Sequence, residues 1–241
     1  MSTINLRLLG LAASRLETSR RRIFVDAYNT YQAPPTLAAG DLLLFTHNDH
    51  DHFCPHKTAQ AVAEHANIVV GPPGIAYPLL AEAGLPASQL RIVYPPWPAE
   101  PLELALEEVK LSIWQTRHFV GWEPDHVSFL VEVGGVRAYF TGDSHHLPEQ
   151  DPRLQELNAL VYSLVEREII DGKLDKDTAT ELHLRQLMEV QTRFRPRRLV
   201  ANHLIACDWT ADPALLRQAV KARGLKGIEV LEEPDQALPL R

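Results

Sequence analysis

Residues 41–53 read Asp-Leu-Leu-Leu-Phe-Thr-His-Asn-Asp-His-Asp-His-Phe, an apolar run that passes directly into His47, Asp49, His50, Asp51 and His52. A continuous apolar run suits a strand covered on both faces, the setting of a parallel strand in an α/β protein. The imidazoles and carboxylates that follow would crowd and repel one another without a cation. In extended backbone, side chains at i and i+2 share a face, so His47 and Asp49 can grip one ion while Asp51 and His52 reach another as the chain turns. The stretch predicts a strand that ends in a two-metal site.

The same grammar recurs further along the chain. VKLSIWQTRH at 109–118 delivers His118 just past a strand, VRAYFTGD at 136–143 delivers Asp143, and RRLVANH at 197–203 delivers His203. Ligands of layered α/β folds gather at the carboxyl ends of strands, so four apolar runs that each end in a potential ligand reinforce one another.

Around these runs the pattern predicts strands at NLRLLG (5–10), RRIFVDA (21–27) and NIVVG (67–71). It predicts helices over 55–66, with Pro55 at the start, and over 74–82, closed by Gly84. The centre is strand-rich, with LELALEE, VKLSIWQTRH, HVSFLVEV and VRAYFTGD as antiparallel neighbours and a hairpin turn at Gly134-Gly135. NALVYSLV, RRLVANH and IEVLEE are later strands, separated by helices over 177–195 and 213–223. Residues 95–101 and 166–177 are expected as long loops that carry substrate contacts. The reading is one α/β layered sandwich over residues 1–241, two mixed β-sheets face to face with helices outside.

Composition narrows the function. The chain has 241 residues, 45% of them apolar, a formal net charge of -7 and 11 His. With no global positive field, nucleic acid is not an expected partner. The arginine clusters at 19–22 and 193–198 read as solvated charge. Two cysteines, Cys54 and Cys207, cannot build a disulfide framework, which suits a reducing, cytoplasmic setting. The apolar run LLGLAA is flanked by Arg7 and Arg15 and is too short to span a membrane, so neither an anchor nor an export signal is expected. The expected partner is a small-molecule substrate, and homo-oligomerisation is left open.

His47, Asp51, His52, His118, Asp143 within TGDS and His203, in that order, resemble the metallo-β-lactamase superfamily, whose signature is HxHxDH followed by a lone His, a bridging Asp and a last His. The opening LLGLAASRLET and the strand ending at Asp26 are similar to the branch containing the ascorbate-phosphate lactonase-like proteins. The resemblance implies a four-layer αββα sandwich with a dinuclear site in the cleft. It implies one ion held by His47, Asp49 and His118, the other by Asp51, His52 and His203, with Asp143 bridging and Asp51 counted also as catalytic. Asp49 departs from the pattern, which has a second His there. Three carboxylates facing two divalent ions of about +4 in total leave about +1 before a bridging hydroxide is added. Zinc is the expected metal, and the harder oxygen ligand gives manganese or iron a place beside it.

The expected activity is a metal-dependent hydrolase in which a metal-bridged hydroxide cleaves an ester, lactone or phosphodiester bond of a small molecule. The alternatives are a nuclease or phosphodiesterase, or a non-catalytic metal-binding or ligand-sensing protein. His183, inside the last long helix, is the candidate proton donor to the leaving group, against a plain helix-surface role. Asp26 is expected to fix the tautomer of a ligating imidazole. His50, His145 and His146 are read as surface or supporting residues, and His56, His65 and His126 carry no signal. Trp122 and Trp209 are pocket candidates, whereas Trp114 reads as core.

Overall fold

The computed structural model describes residues 3–96, 100–119, 125–148, 150–204 and 212–240. In chain order the strands are β1 (Asn5–Gly10), β2 (Ala13–Glu17), β3 (Arg22–Val25), β4 (Leu42–Leu44), β5 (Ile68–Gly71), β6 (Leu90–Ile92), β7 (Leu102–Leu106), β8 (Val109–Gln115), β9 (Val127–Val133), β10 (Val136–Phe140), β11 (Ala159–Ser163), β12 (Leu199–Asn202), β13 (Ile228–Val230) and β14 (Ala237–Pro239). The helices are α1 (Pro55–His65), α2 (Pro73–Tyr77), α3 (Arg167–Ile170), α4 (Lys176–Phe194) and α5 (Pro213–Ala222).

Two seven-stranded sheets result, in the orders β14-β1-β2-β3-β4-β5-β6 and β13-β12-β11-β10-β9-β8-β7. Both are mixed. From β3 to β6 the first sheet is parallel, as is the second from β10 to β13. β4 lies between two parallel neighbours and is buried at every position, which is why its sequence does not alternate. The β9–β10 hairpin closes on Gly134 and Gly135 at φ 53° and 78°, the two left-handed residues that a tight two-residue turn requires.

Three apolar cores make this a four-layer αββα sandwich. Leu42 and Leu44 of one sheet face Val127, Phe129 and Val131 of the other in the middle. Leu43 and Val69 point outward onto Val62 of α1 and Ile75 of α2. On the far side Leu160 and Leu199 meet Leu184, Leu187 and Phe194 of α4 and Leu216 of α5. The spacing of the buried α4 positions is that of one helical face, and Asp175 caps its start by accepting from the Thr178 N–H at 2.8 Å.

The expected elements form, with differences that have local causes. DLLLFTH keeps ladder pairing only at Leu42–Leu44. The helix expected over 74–82 changes at Pro78 into a π-helical turn, because proline offers no N–H to the preceding turn. The stretch 166–177, expected as a loop, contains α3 and the start of α4. Strands β2, β6 and β14 have five, three and three residues and were not among the expected runs. No helix among the described residues is long and apolar enough to cross a membrane.

Candidate metal centre

The parallel strands deliver their chemistry to one edge of the sandwich. Asp26 follows β3, residues 45–53 follow β4, Asp143 follows β10 and His203 follows β12. β8 is antiparallel to β9 and β9 to β10, so β8 runs with β10 and brings His118 to the same edge. There the sheets are stitched together: the Val127 N–H donates to Thr46 O at 2.9 Å, and Asn202 Nδ2 donates to Ala12 O at 2.8 Å. After His47 the chain turns back on itself, with the His52 and Phe53 N–H groups both donating to Asp49 O. Phe53 packs edge-on against Phe45, anchoring the turn in the outer core.

His47, His52, His118, Asp143 and His203 are all buried and converge. Ligating atoms of Asp51, His52, Asp143 and His203 lie within 4.8 Å of one another, as do those of His47, His118 and Asp143, so Asp143 belongs to both groups. Asp143 Oδ2 is 3.2 Å from His52 Nε2, 3.7 Å from His203 Nε2 and 3.9 Å from His118 Nε2. Asp51 Oδ2 stands 3.1 Å from His203 Nε2, and Asp49 Oδ2 is 3.5 Å from both His47 Nε2 and His118 Nε2. Asp49 is the open corner, its side chain 48% exposed.

No contact at His47 Nε2 or His52 Nε2 has hydrogen-bond geometry, and Asp143 Oδ1 has no hydrogen-bond partner. Leaving a buried polar atom so costs about 1–3 kcal/mol. Imidazole lone pairs and carboxylate oxygens aimed at common points form the donor set of a divalent cation, and the residues present fit that group. Charge supports the fit. Burial pushes the Asp143 carboxyl up, but the His52 and His203 imidazoles outweigh it and hold it well below the usual range. Against the same opposition from burial, the His203 imidazole 3.1 Å away, with His52 beside it, brings Asp51 to about 2. The His47 imidazole holds Asp49 below the usual range. Burial, reinforced by His47, lowers His118 to about 4, so its ring is neutral and its lone pair is available near pH 7.

Buried groups behind the cluster hold it in place. Asp26 Oδ2 meets His52 Nδ1 at 3.0 Å, and the same carboxylate accepts from the N–H and the hydroxyl of Thr46, each at 2.8 Å. Thr46 Oγ1 is 2.9 Å from His47 Nδ1. His126 is fully buried at the head of β9, with its ring centroid 4.8 Å from that of His47. Nothing in the sequence around it distinguishes it from the other histidines, since the run HVSFLVEV also carries Ser128 and Glu132.

The other candidates lie outside the cluster. His183 is buried on the inner face of α4, and among the described residues no hydrogen bond or ion pair joins it to the seven ligand candidates. Its Nδ1 is 3.0 Å from Gln186 Oε1; Gln186 Nε2 donates to Glu166 Oε1, which is 3.6 Å from His145 Nδ1. His50, His56, His65 and His146 are exposed, and Cys54 and His145 are half-buried. Trp114 is buried edge-on to Tyr139 and also lines a cavity of about 910 Å³ with Thr116, His145, His146 and Arg193. Trp97, Trp122, Cys207 and Trp209 lie outside the described residues. The arginine clusters precede β3 and β12; Arg22 pairs with Asp41 and Arg198 with Glu229, while Arg193 pairs with Glu189 and also lines the cavity.

The family profile described as "Beta-lactamase superfamily domain" matches residues 21–204. The chain belongs to the beta-lactamase superfamily. Solved structures agree on its fold. Igni18, described as a novel metallo hydrolase from the hyperthermophilic archaeon Ignicoccus hospitalis, superposes with a TM-score of 0.68 at 17% identity, over 98% of each chain. The metallo-beta-lactamase fold protein YhfI from Bacillus subtilis does so with 0.63 at 11% identity, over 99% of this chain and 100% of its own. CmlA, a diiron beta-hydroxylase from Streptomyces venezuelae, matches with 0.68 at 16% identity, over 98% of this chain and 54% of its own. No curated protein matches in sequence.

Proposed function

We propose that this superfamily member is a metal-dependent hydrolase acting on an ester, lactone or phosphodiester bond of a small molecule. The observation that carries the reading is the convergence of two ligand groups on the shared Asp143. One ion is assigned to Asp51, His52, His203 and Asp143, the other to His47, His118 and Asp143 with Asp49 at its open side. Zinc is the assigned metal, with manganese and iron as the alternatives that an added carboxylate favours. When bound, such ions supply Lewis acidity, lowering the pKa of water towards 7 and polarising a substrate oxygen.

The chain's own groups divide the remaining work. Asp26 orients His52 and raises its basicity as a ligand. Asp51 belongs to the ligand set and, with its side chain 21% exposed, borders the space open to substrate. The hydrogen-bonded chain from His183 through Gln186 to Glu166, which is 3.6 Å from His145 Nδ1, supports His183 as a residue that positions His145, two places past Asp143. Its ring is neutral near pH 7 and the Gln186 amide cannot relay a proton, so proton delivery is not assigned to His183. The cavity beside Thr116 and His145 has room for a small molecule. Arg22 and Arg198, which open or precede strands away from the ligand-bearing ends and pair with Asp41 and Glu229, support this reading over a nuclease. The two cysteines favour the cytoplasm as its location.

Elemental analysis of protein purified without added metal, followed by a panel of lactones, esters and phosphodiesters, tests the proposal. Two divalent ions per chain and turnover of at least one class are expected. Fully loaded protein that turns over none of them overturns the hydrolase assignment, and protein that takes up no ion overturns the centre itself.

A further inference from the structure

We infer that His126 is a positioning residue of the metal centre, acting through the backbone of Asp143. The inference rests on the metal reading above and extends it to a residue that contributes no ligand.

The argument begins with hydrogen-bond direction. The Asp143 amide can only donate, and it meets His126 Nε2 at 3.0 Å, so this nitrogen carries the lone pair. In a neutral imidazole the proton then resides on Nδ1, which faces Thr116 Oγ1 at 2.7 Å and donates to it. Thr116 is held in turn, its N–H donating to the backbone oxygen of His126 at 3.0 Å. Both ring nitrogens are therefore satisfied in one tautomer and one orientation. The ring is fully buried, its centroid 4.8 Å from His47 and 5.7 Å from His118, so it also forms the wall against which two candidate ligands pack.

The backbone at this point needs holding. Gly142 has φ +54°, and a Cβ on it would lie 2.8 Å from Thr46 Cβ and 2.9 Å from His126 Nε2. The chain thus passes between Thr46 and His126 with no slack, and the amide bond to His126 sets where the Asp143 carboxylate emerges. A carboxylate shared by two ligand groups tolerates little displacement, because moving towards one group takes it away from the other.

The test compares His126→Leu, His126→Gln and Thr116→Val with the wild type by competitive zinc titration, the cobalt(II) visible spectrum and the unfolding midpoint of the metal-free proteins. His126→Leu, which removes the acceptor, is expected to bind zinc about tenfold to a hundredfold more weakly and to alter the cobalt spectrum. His126→Gln, whose side-chain oxygen can replace Nε2 as acceptor, is expected to recover most of that loss. Thr116→Val, which leaves the ring in place but removes its anchor, is expected to fall between them and decides the matter if His126→Leu does not fold. Wild-type affinity and spectrum in folded His126→Leu, or in Thr116→Val, overturn the inference while the metal reading stands. A wild type that takes up no ion overturns both.

Discussion

The carboxylate of Asp26 lies 3.0 Å from Nδ1 of His52, with both side chains buried at the seam of the two sheets. Burial alone would lower the His52 pKa, yet the charges of Asp143 and Asp26 on its two sides raise it well above the ordinary value. Asp26 also has φ +52°, a left-handed conformation that asparagine shares readily. Asp26→Asn therefore keeps the backbone and the acceptor for the Thr46 N–H while removing the charge behind His52. Zinc affinity should drop about tenfold to a hundredfold. A chelator competition that returns the wild-type constant contradicts this role.

Asp143→Ala removes the one carboxylate common to both ligand groups. Metal content and turnover should fall together, and mass-spectrometric metal analysis of the purified variant should find fewer than two ions per chain. Retention of both would show that the groups bind independently.

Asp49→His replaces an oxygen donor beside His47 and His118 with the softer imidazole nitrogen. Binding should persist and shift towards zinc over manganese. Equilibrium dialysis against both metals reports the ratio, and an unchanged ratio removes ligand hardness as the explanation for this residue.

Gly142→Ala meets two obstacles, a positive φ and a crowded Cβ position. A loss of about 1–3 kcal/mol in urea unfolding is expected. Because the crowding atoms belong to Thr46 and His126, metal affinity should decline as well. Stability within experimental error of the wild type would mean that the loop relaxes around the methyl group.

Burial lowers His183 to about 4 from an ordinary value of 6.5. The unfolded chain binds a proton at this position between those values while the folded chain does not, so stability declines as pH falls from about 6.5 to 4. At most about 3 kcal/mol is at stake in that window. His183→Gln should flatten that part of the acid profile measured by urea unfolding between pH 7.5 and 4.5. His183→Ala should retain its metal and slow turnover at most. An unchanged slope would show that His183 is not held neutral by its surroundings.

Much of this organisation can be read from residue order, because a strand that ends in a ligand has a local signature. The apolar residues before His47, His118, Asp143 and His203 mark their own elements, and a shared direction then brings their ends together. What escaped reading depends on partners distant in the chain. β6 and β14, at three residues each, are too short to show a period and owe their form to neighbouring strands. His126 is one histidine among eleven until folding brings it to the Asp143 amide, seventeen positions later. His183 has the spacing of a core position on α4, and only the fold shows that its partner is Gln186, in a chain that ends at Glu166 beside His145.

The unequal exposure of the ligand candidates bears on exchange. The Asp51 side chain is 21% exposed and those of His52, Asp143 and His203 are at most 5% exposed, whereas Asp49 is 48% exposed beside His47 and His118. On the proposed assignment, an ion held by Asp51, His52 and His203 would meet solvent only past Asp51, and one held by His47 and His118 would have the more open Asp49 side. If two ions bind as proposed, they should therefore differ in lifetime, the one beside Asp49 exchanging faster.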